Sequence, residues 1–300
     1  MSYHVPVMLK ECIEGLDIKP DGIYVDVTFG GGGHTKEILK HIKTGKLFAF
    51  DQDNDAKANA ESIKESSFIL IEANFRYLKR YLKLNGITQI DGLLADLGIS
   101  SHQIDSAERG FSTRFDADLD MRMDRSLTKS AKDIIATYPE KELHRIFGMY
   151  GEVTNARTLA AAIVKARANN LINTVEELKT AIRHLAPRGK ENKYFAQVFQ
   201  ALRIDVNDEL KALEEMLVQS SEVLKPGGKL VIMAYHSLED RLVKNFVGKG
   251  LFHGEPEKDV YGNYYKPFEA ENRKPIEASE EEVLVNKRAR SAKLRIAVKL

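Results

Sequence analysis

Gly22-Ile23-Tyr24-Val25-Asp26-Val27-Thr28-Phe29-Gly30-Gly31-Gly32-Gly33-His34 joins a short apolar run to an acidic residue and four consecutive glycines. A strand, an acid, a glycine turn and a helix in that order form a cradle for a nucleotide-like ligand. Glycine lets the backbone turn sharply and bring its N–H groups against an anionic or polar group at a helix N-terminus. The turn alone leaves two ligands open. A dinucleotide fingerprint asks for G-x-G-x-x-G, with a third glycine for helix–sheet packing. Gly30 and Gly32 supply the first pair, but Thr35 stands at the third position, and Lys36 when the count starts at Gly31. An S-adenosylmethionine site asks only for the acid and a G-x-G turn, which Asp26 and Gly30–Gly33 provide.

Outward from this turn the pattern alternates. Strands are expected at Ile23–Val27, Lys46–Phe50 (ending at Asp51), Phe68–Glu72 and Asp91–Leu97, with helices at Thr35–His41, Asp53–Glu65 and Phe75–Leu84. Such alternation implies a parallel sheet with helices on both faces. From Ser106 to Lys190 no strand pattern is present. Pro139 opens a helix, 155–167 is alanine-rich, and Thr174-Val175-Glu176-Glu177 is a capping box for another helix. A single helix is expected over Tyr194–Leu224, with Phe199, Leu202, Val206, Leu210, Leu213 and Leu217 as one stripe. Lys225-Pro226-Gly227-Gly228 then turns into a strand at Lys229–Ala234. Lys293–Lys299, alternating basic and apolar, is expected as a strand on the sheet edge. The expected domains are 1–105 with 191–300, and a helical insertion at 106–190.

Among 300 residues, 43% are hydrophobic and the net charge is +1, so a nucleic-acid surface would have to be local. The insertion from Ile134 to Lys190 carries nine Lys and Arg against five acids, and Val283–Leu300 carries six against none. These two stretches are the candidates for phosphate contact. The single cysteine, Cys12, excludes an internal disulfide. No metal-ligand spacing is present, and no apolar run reaches membrane-span length. The expectation is a soluble cytoplasmic protein.

Several further segments carry a resemblance: His4–Leu9, Asp91-Gly92-Leu93-Leu94-Ala95-Asp96-Leu97-Gly98, Glu108–Ser112, Leu119-Asp120-Met121-Arg122-Met123-Asp124, Phe199–Ile204, His236-Ser237-Leu238-Glu239-Asp240-Arg241 and Arg288–Ser291. In this order, across essentially the whole chain, they resemble the bacterial small-subunit ribosomal RNA cytosine-N4 methyltransferases of the MraW type. The resemblance implies a class I S-adenosylmethionine-dependent methyltransferase: a Rossmann-like α/β fold, mostly parallel with an antiparallel edge strand, carrying an inserted helical substrate-recognition domain. It implies donor contacts from Gly32, Gly33, His34, Asp51, Phe75, Asp96 and Gln103. The implied substrate is 16S RNA, near the decoding site, within the small ribosomal subunit or its late precursor. A homodimer is left open. Two positions depart from the family pattern: His102 in place of proline, and Gln197 in place of arginine.

Asp96 is a candidate both for donor contact and for accepting a hydrogen bond from the target amine. His236, after the fifth strand, is a candidate for orienting the base or relaying a proton, and equally a helix cap together with Ser237 and Asp240. Gln200, Arg203 and Asn207 share one helix face, and with Asp240 are the candidate RNA contacts; a solvated polar stripe is the plainer reading of that face.

Overall fold

The computed structural model describes residues 6–300; His4 and Val5 of the first motif lie outside the described residues. The chain divides into two compact units, one running to Gly98 and resuming at Leu210, the other Ile99–Glu209.

The first unit is built on a sheet ordered β3-β2-β1-β4-β5-β8-β6, with β7 also paired to β8. The strands are β1 (Ile23–Asp26), β2 (Lys46–Asp51), β3 (Phe68–Glu72), β4 (Ile90–Asp96), β5 (Leu224–Ala234), β6 (Phe268–Ala270), β7 (Ile276–Glu277) and β8 (Lys293–Lys299). β1 to β5 are mutually parallel and β8 runs antiparallel to β5. Phe48, Leu93, Leu94, Val231 and Ile232 are essentially buried, as expected for strands covered on both faces. The Pro-Gly-Gly turn is a register irregularity inside β5, since Ile90 pairs with Leu224 but Gly92 pairs with Lys229. β8 is not the outermost strand: β6 and β7 both pair with it. The antiparallel strand expected at the edge is therefore covered by two shorter ones.

Four helices precede the fourth strand or link the strands: α1 (Leu9–Leu16), α2 (Gly33–His41), α3 (Ala56–Ala60) and α4 (Leu78–Leu84). α3 is much shorter than the helix expected over Asp53–Glu65.

The second unit holds α5 (Ser101–Asp105), α6 (Ala131–Thr137), α7 (Glu140–Met149), α8 (Ala156–Asn169), α9 (Val175–Ile182) and α10 (Glu191–Asn207). Its core gathers Leu143, Ile146, Phe147, Leu159, Ile163, Val198, Phe199 and Leu202. The capping box holds as expected, with Thr174 Oγ1 accepting from the Glu177 N–H and Glu177 Oε2 accepting from the Thr174 N–H.

The long helix expected over Tyr194–Leu224 is broken. Asp208 sits in the left-handed region at φ 51°, ending α10, and α11 (Glu209–Val223) follows. The apolar stripe is thereby shared out: Phe199, Leu202 and Val206 join the core of the second unit, while Leu213 and Leu217 join that of the first. The two compact units divide at 98/99 and 209/210. Among the described residues no helix is long and apolar enough to cross a membrane.

Candidate active site

Asp26, Asp51 and Asp96 end three strands, β1, β2 and β4, that are neighbours in the sheet and parallel. Their carboxylates therefore gather at the carboxyl edge, where open α/β sheets bind ligands.

The glycine turn is shaped by two of these acids. Asp51 Oδ2 accepts from the Gly30 N–H at 2.8 Å and its Oδ1 from the Asp53 N–H at 2.8 Å. Asp26, 1% exposed, accepts from the Thr35 hydroxyl at 2.8 Å and from the Thr28 N–H at 3.1 Å. Thr35, the residue that breaks the dinucleotide fingerprint, thus satisfies a buried carboxylate that a glycine would leave with one bond fewer. Gly32 adopts φ 74° and caps α2. A Cβ on Gly33 would lie 2.2 Å from Pro6 Cγ, whereas one on Gly31 would meet nothing within 4 Å. Alanine at position 31 is accordingly expected to leave donor affinity within about twofold, while Gly33→Ala forces the turn and the Pro6 segment apart and weakens it about tenfold or more. Titration calorimetry on the two variants makes the comparison.

His34, in the first turn of α2, is 6% exposed; its Nε2 lies 3.1 Å from the Val7 carbonyl and its Nδ1 3.9 Å from Asp96 Oδ2. Asp96 accepts at Oδ1 from the Tyr235 hydroxyl at 2.7 Å, and its backbone N–H donates to Thr28 Oγ1 at 2.7 Å. No described residue hydrogen-bonds Asp96 Oδ2. Phe75 follows β3 in a short 3₁₀ turn and is partly buried against the main core. That turn is fixed by Arg76, whose Nε donates to Glu215 Oε2 at 2.7 Å and whose carbonyl accepts from Gln219.

Burial pushes the Asp51 carboxyl up to about 6, against the two backbone N–H bonds. Burial also pushes Asp96 up to about 6; His34 and the Tyr235 hydroxyl oppose this, and Asp26 and Glu239 reinforce it. Both values exceed the unfolded one of about 4. Protonation of these groups therefore contributes stability to the ligand-free fold that is full below pH 4 and lost as pH rises through 6. A cationic or hydroxyl-bearing ligand prefers the ionised carboxylates, so donor binding runs the opposite way. Its dissociation constant is expected to rise as pH falls from 7.5 to 5, with the bend near 6. Calorimetry at four or five pH values tests this, and a flat profile would contradict it.

His236 is the N-cap of α12 (Ser237–Lys249). Its Nδ1 accepts from the Glu239 N–H at 3.4 Å, and its Nε2 lies 3.1 Å from Glu239 Oε1. The cap is thus His236 with Glu239 rather than the expected Ser237 with Asp240, and the buried Nε2 makes no hydrogen bond among the described residues. Glu239, 3% exposed, also accepts from the Tyr235 N–H at 3.0 Å. Asp240 forms a two-bond ion pair with Arg295 of β8 at 2.7 and 3.1 Å. The expected RNA role of Asp240 thus meets a structural one tying α12 to the sheet.

In the second unit, Gln103 closes a capping box at α5, its Oε1 accepting from the Ser100 N–H at 3.0 Å. Gln200 donates to the Tyr150 carbonyl at 2.8 Å, and Arg203 makes a paired contact with Glu209 at 2.8 and 3.0 Å. Asn207 is only 5% exposed: Oδ1 accepts from the Met123 N–H at 2.7 Å, and Nδ2 donates to the Met121 and Arg203 carbonyls. The shared face expected for these three is real, but it ties the helix to its own unit, and Asn207 in particular is a loop tether. Gln197, standing where arginine is usual in the family, donates to the Gly151 and Glu152 carbonyls. Sequence reading passed over Thr28, Thr35, Tyr235 and Glu239. The signal for the last two was their place directly after the fifth strand.

The donor set suits S-adenosylmethionine: carboxylates for a ribose diol and for cationic groups, and a glycine cradle that a Cβ would fill. A family model for the MraW methylase family matches residues 1–300. The chain belongs to the MraW methylase family. Ribosomal RNA small subunit methyltransferase H of Cytophaga hutchinsonii is 64% identical, over 98% of this chain and 99% of that one. The proteins of the same name from Christiangramia forsetii and Flavobacterium johnsoniae are 56% and 55% identical, each over 100% of this chain and 99% of theirs. The α/β fold and the mostly parallel sheet are those of a class I methyltransferase.

Proposed function

We propose that this protein transfers the methyl group of S-adenosylmethionine to the N4 exocyclic amine of a cytidine in 16S ribosomal RNA, near the decoding site. The observation that carries the reading is Asp96: a carboxylate at the carboxyl edge of β4, with one oxygen held by Tyr235 and the other without a hydrogen bond among the described residues. The relatives' shared name supports small-subunit ribosomal RNA as the substrate.

A cytosine amine is a weak nucleophile because its lone pair is delocalised into the ring. S-adenosylmethionine would supply an electrophilic methyl on a sulfonium: the C–S bond breaks as the N–C bond forms, S-adenosylhomocysteine leaves, and N4 sheds one proton. The protein's part is to localise the lone pair and hold the amine in line. Asp96 Oδ2 has two accepting lone pairs: beside its contact with the bound donor it accepts from the amine N–H, draws the amine lone pair out of conjugation and stabilises the positive charge that develops on nitrogen. Asp51 accepts from the ribose hydroxyls, the N–H groups of Gly33 and His34 line the turn while that of Gly32 is given to the Phe29 carbonyl, and Phe75 offers an aromatic face to the adenine. Asp96 is favoured over His236 as the acceptor because the His236 Nδ1 lone pair is taken by the Glu239 N–H, which puts the ring's own N–H on Nε2, a donor and not an acceptor. The Ile99–Glu209 unit serves substrate recognition; its cations Arg157, Lys165, Arg188 and Lys190 suit phosphate contact.

The test is a methylation assay on small ribosomal subunits with labelled donor, followed by digestion of the RNA to nucleosides. N4-methylcytidine is the expected product. Label on another base or on ribose, or none in the RNA, refutes the reading.

A further inference from the structure

Tyr235 directly follows β5 and has no part in the sequence motif that comes after it, yet its side chain reaches across to the end of β4. Its hydroxyl donates to Asp96 Oδ1 at 2.7 Å. Its backbone N–H donates to Glu239 Oε2 at 3.0 Å, so the residue is pinned at both ends. A phenol has one proton to give, and the nearest acceptor here is a carboxylate. The proton therefore marks Oδ1 as the occupied oxygen of Asp96 and leaves Oδ2 as the one available to a ligand. Geometry at the other oxygen agrees: Oδ2 is the atom on the His34 side, 3.9 Å from Nδ1. Nothing else among the described residues hydrogen-bonds the Asp96 side chain.

We propose that Tyr235 is a positioning residue for the methyl-donor site, donating to Asp96 Oδ1 so that Asp96 stays ionised and presents Oδ2 to the ligand. The proposal rests on the reading of Asp96 as a ligand contact. The charged and titratable groups around Asp96 are His34 from α2, Asp26 from β1, Glu239 from α12 and Cys12 from α1. None of the others supplies a hydrogen bond to the carboxylate, so removal of the hydroxyl leaves Asp96 without its donor and favours its protonated form.

The experiment uses Tyr235→Phe, which keeps the ring and removes only the proton donor. Binding of S-adenosylmethionine and of S-adenosylhomocysteine is measured by calorimetry from pH 5 to 8.5 on the full chain. The acid fall-off in affinity is expected to move to higher pH by about one unit, the consequence of one lost hydrogen bond to a charged group. Above pH 8 the affinity should match the parent within about twofold, because Asp96 is then ionised in both proteins. A general loss at every pH would show a merely structural role and overturn the proposal, as would an unmoved fall-off. Asp96→Asn separates the two readings. If it leaves affinity unchanged at every pH, the reading of Asp96 as a donor contact fails, and the Tyr235 role with it. If it weakens binding while Tyr235→Phe does not shift the profile, only the role of Tyr235 fails.

Discussion

Asp51→Ala is expected to weaken S-adenosylmethionine binding by roughly 10- to 100-fold at pH 7.5, the scale of one or two hydrogen bonds to a charged acceptor. Two effects act together. The carboxylate that accepts from the ribose hydroxyls is removed, and the Gly30 and Asp53 N–H groups lose the acceptor that shapes the turn. The strand itself does not need Asp51, since Leu47, Phe48 and Phe50 carry its burial. Thermal unfolding should therefore move little, and far-UV circular dichroism should be unchanged. Asparagine does not restore the site. Its amide has one accepting oxygen, and its NH₂ would face one of the two backbone donors. Calorimetry on both variants gives the answer, and affinity equal to the parent in Asp51→Ala would remove this residue from the donor site.

The second large effect lies in the other unit. Asn207→Ala is expected to lower the unfolding free energy by about 2–4 kcal/mol, because it strands a buried backbone N–H and two carbonyls. The Met123 N–H and the Met121 carbonyl belong to the Leu119–Asp124 motif, 84 and 86 residues away in the chain. Loss of the tether frees a loop that also contains Arg109 partners, since the Arg109 guanidinium donates to the Arg122 and Met123 carbonyls. Urea unfolding followed by a probe placed in the Ile99–Glu209 unit measures the change. If stability is untouched and RNA affinity drops instead, Asn207 faces the substrate after all.

These two residues show what the sequence discloses and what it withholds. Asp51 was legible because a parallel strand buried on both faces writes itself as an unbroken apolar run, and the acid ending that run falls at the ligand edge. The same logic located β1, β3, β4 and the latter half of β5. The tether at Asn207 was hidden for a physical reason. Helical spacing does put it on one face with Gln200 and Arg203, but what covers that face comes from a distant loop, and no local pattern records it. The break at Asp208 was hidden too: apolar spacing runs straight through from Val206 to Leu210, and aspartate costs little more than its neighbours in a helix. Only its left-handed backbone marks the end. β6 and β7, three and two residues long, are too short to show a period, so β8 looked like an edge. His236 was read as a cap with Ser237 and Asp240, and the box fell instead on His236 and Glu239, because histidine is not among the usual capping residues and Ser237 is.

The division at Asp208 also sets a timetable for synthesis on the ribosome. The whole of the Ile99–Glu209 core has been made when residue 209 is added, whereas β5 is complete only at Ala234, 25 residues later. At about 5–20 residues per second that is an interval of roughly 1–5 s. Throughout it the emerging protein holds a finished helical unit, while β4 waits with the edge that β5 will later fill open to pairing. Asp91 and Asp96 place a charge near each end of that edge, which disfavours a wrong partner. Nascent chains stalled within this window should thus bind chaperones at β4 and release them once β5 has been made.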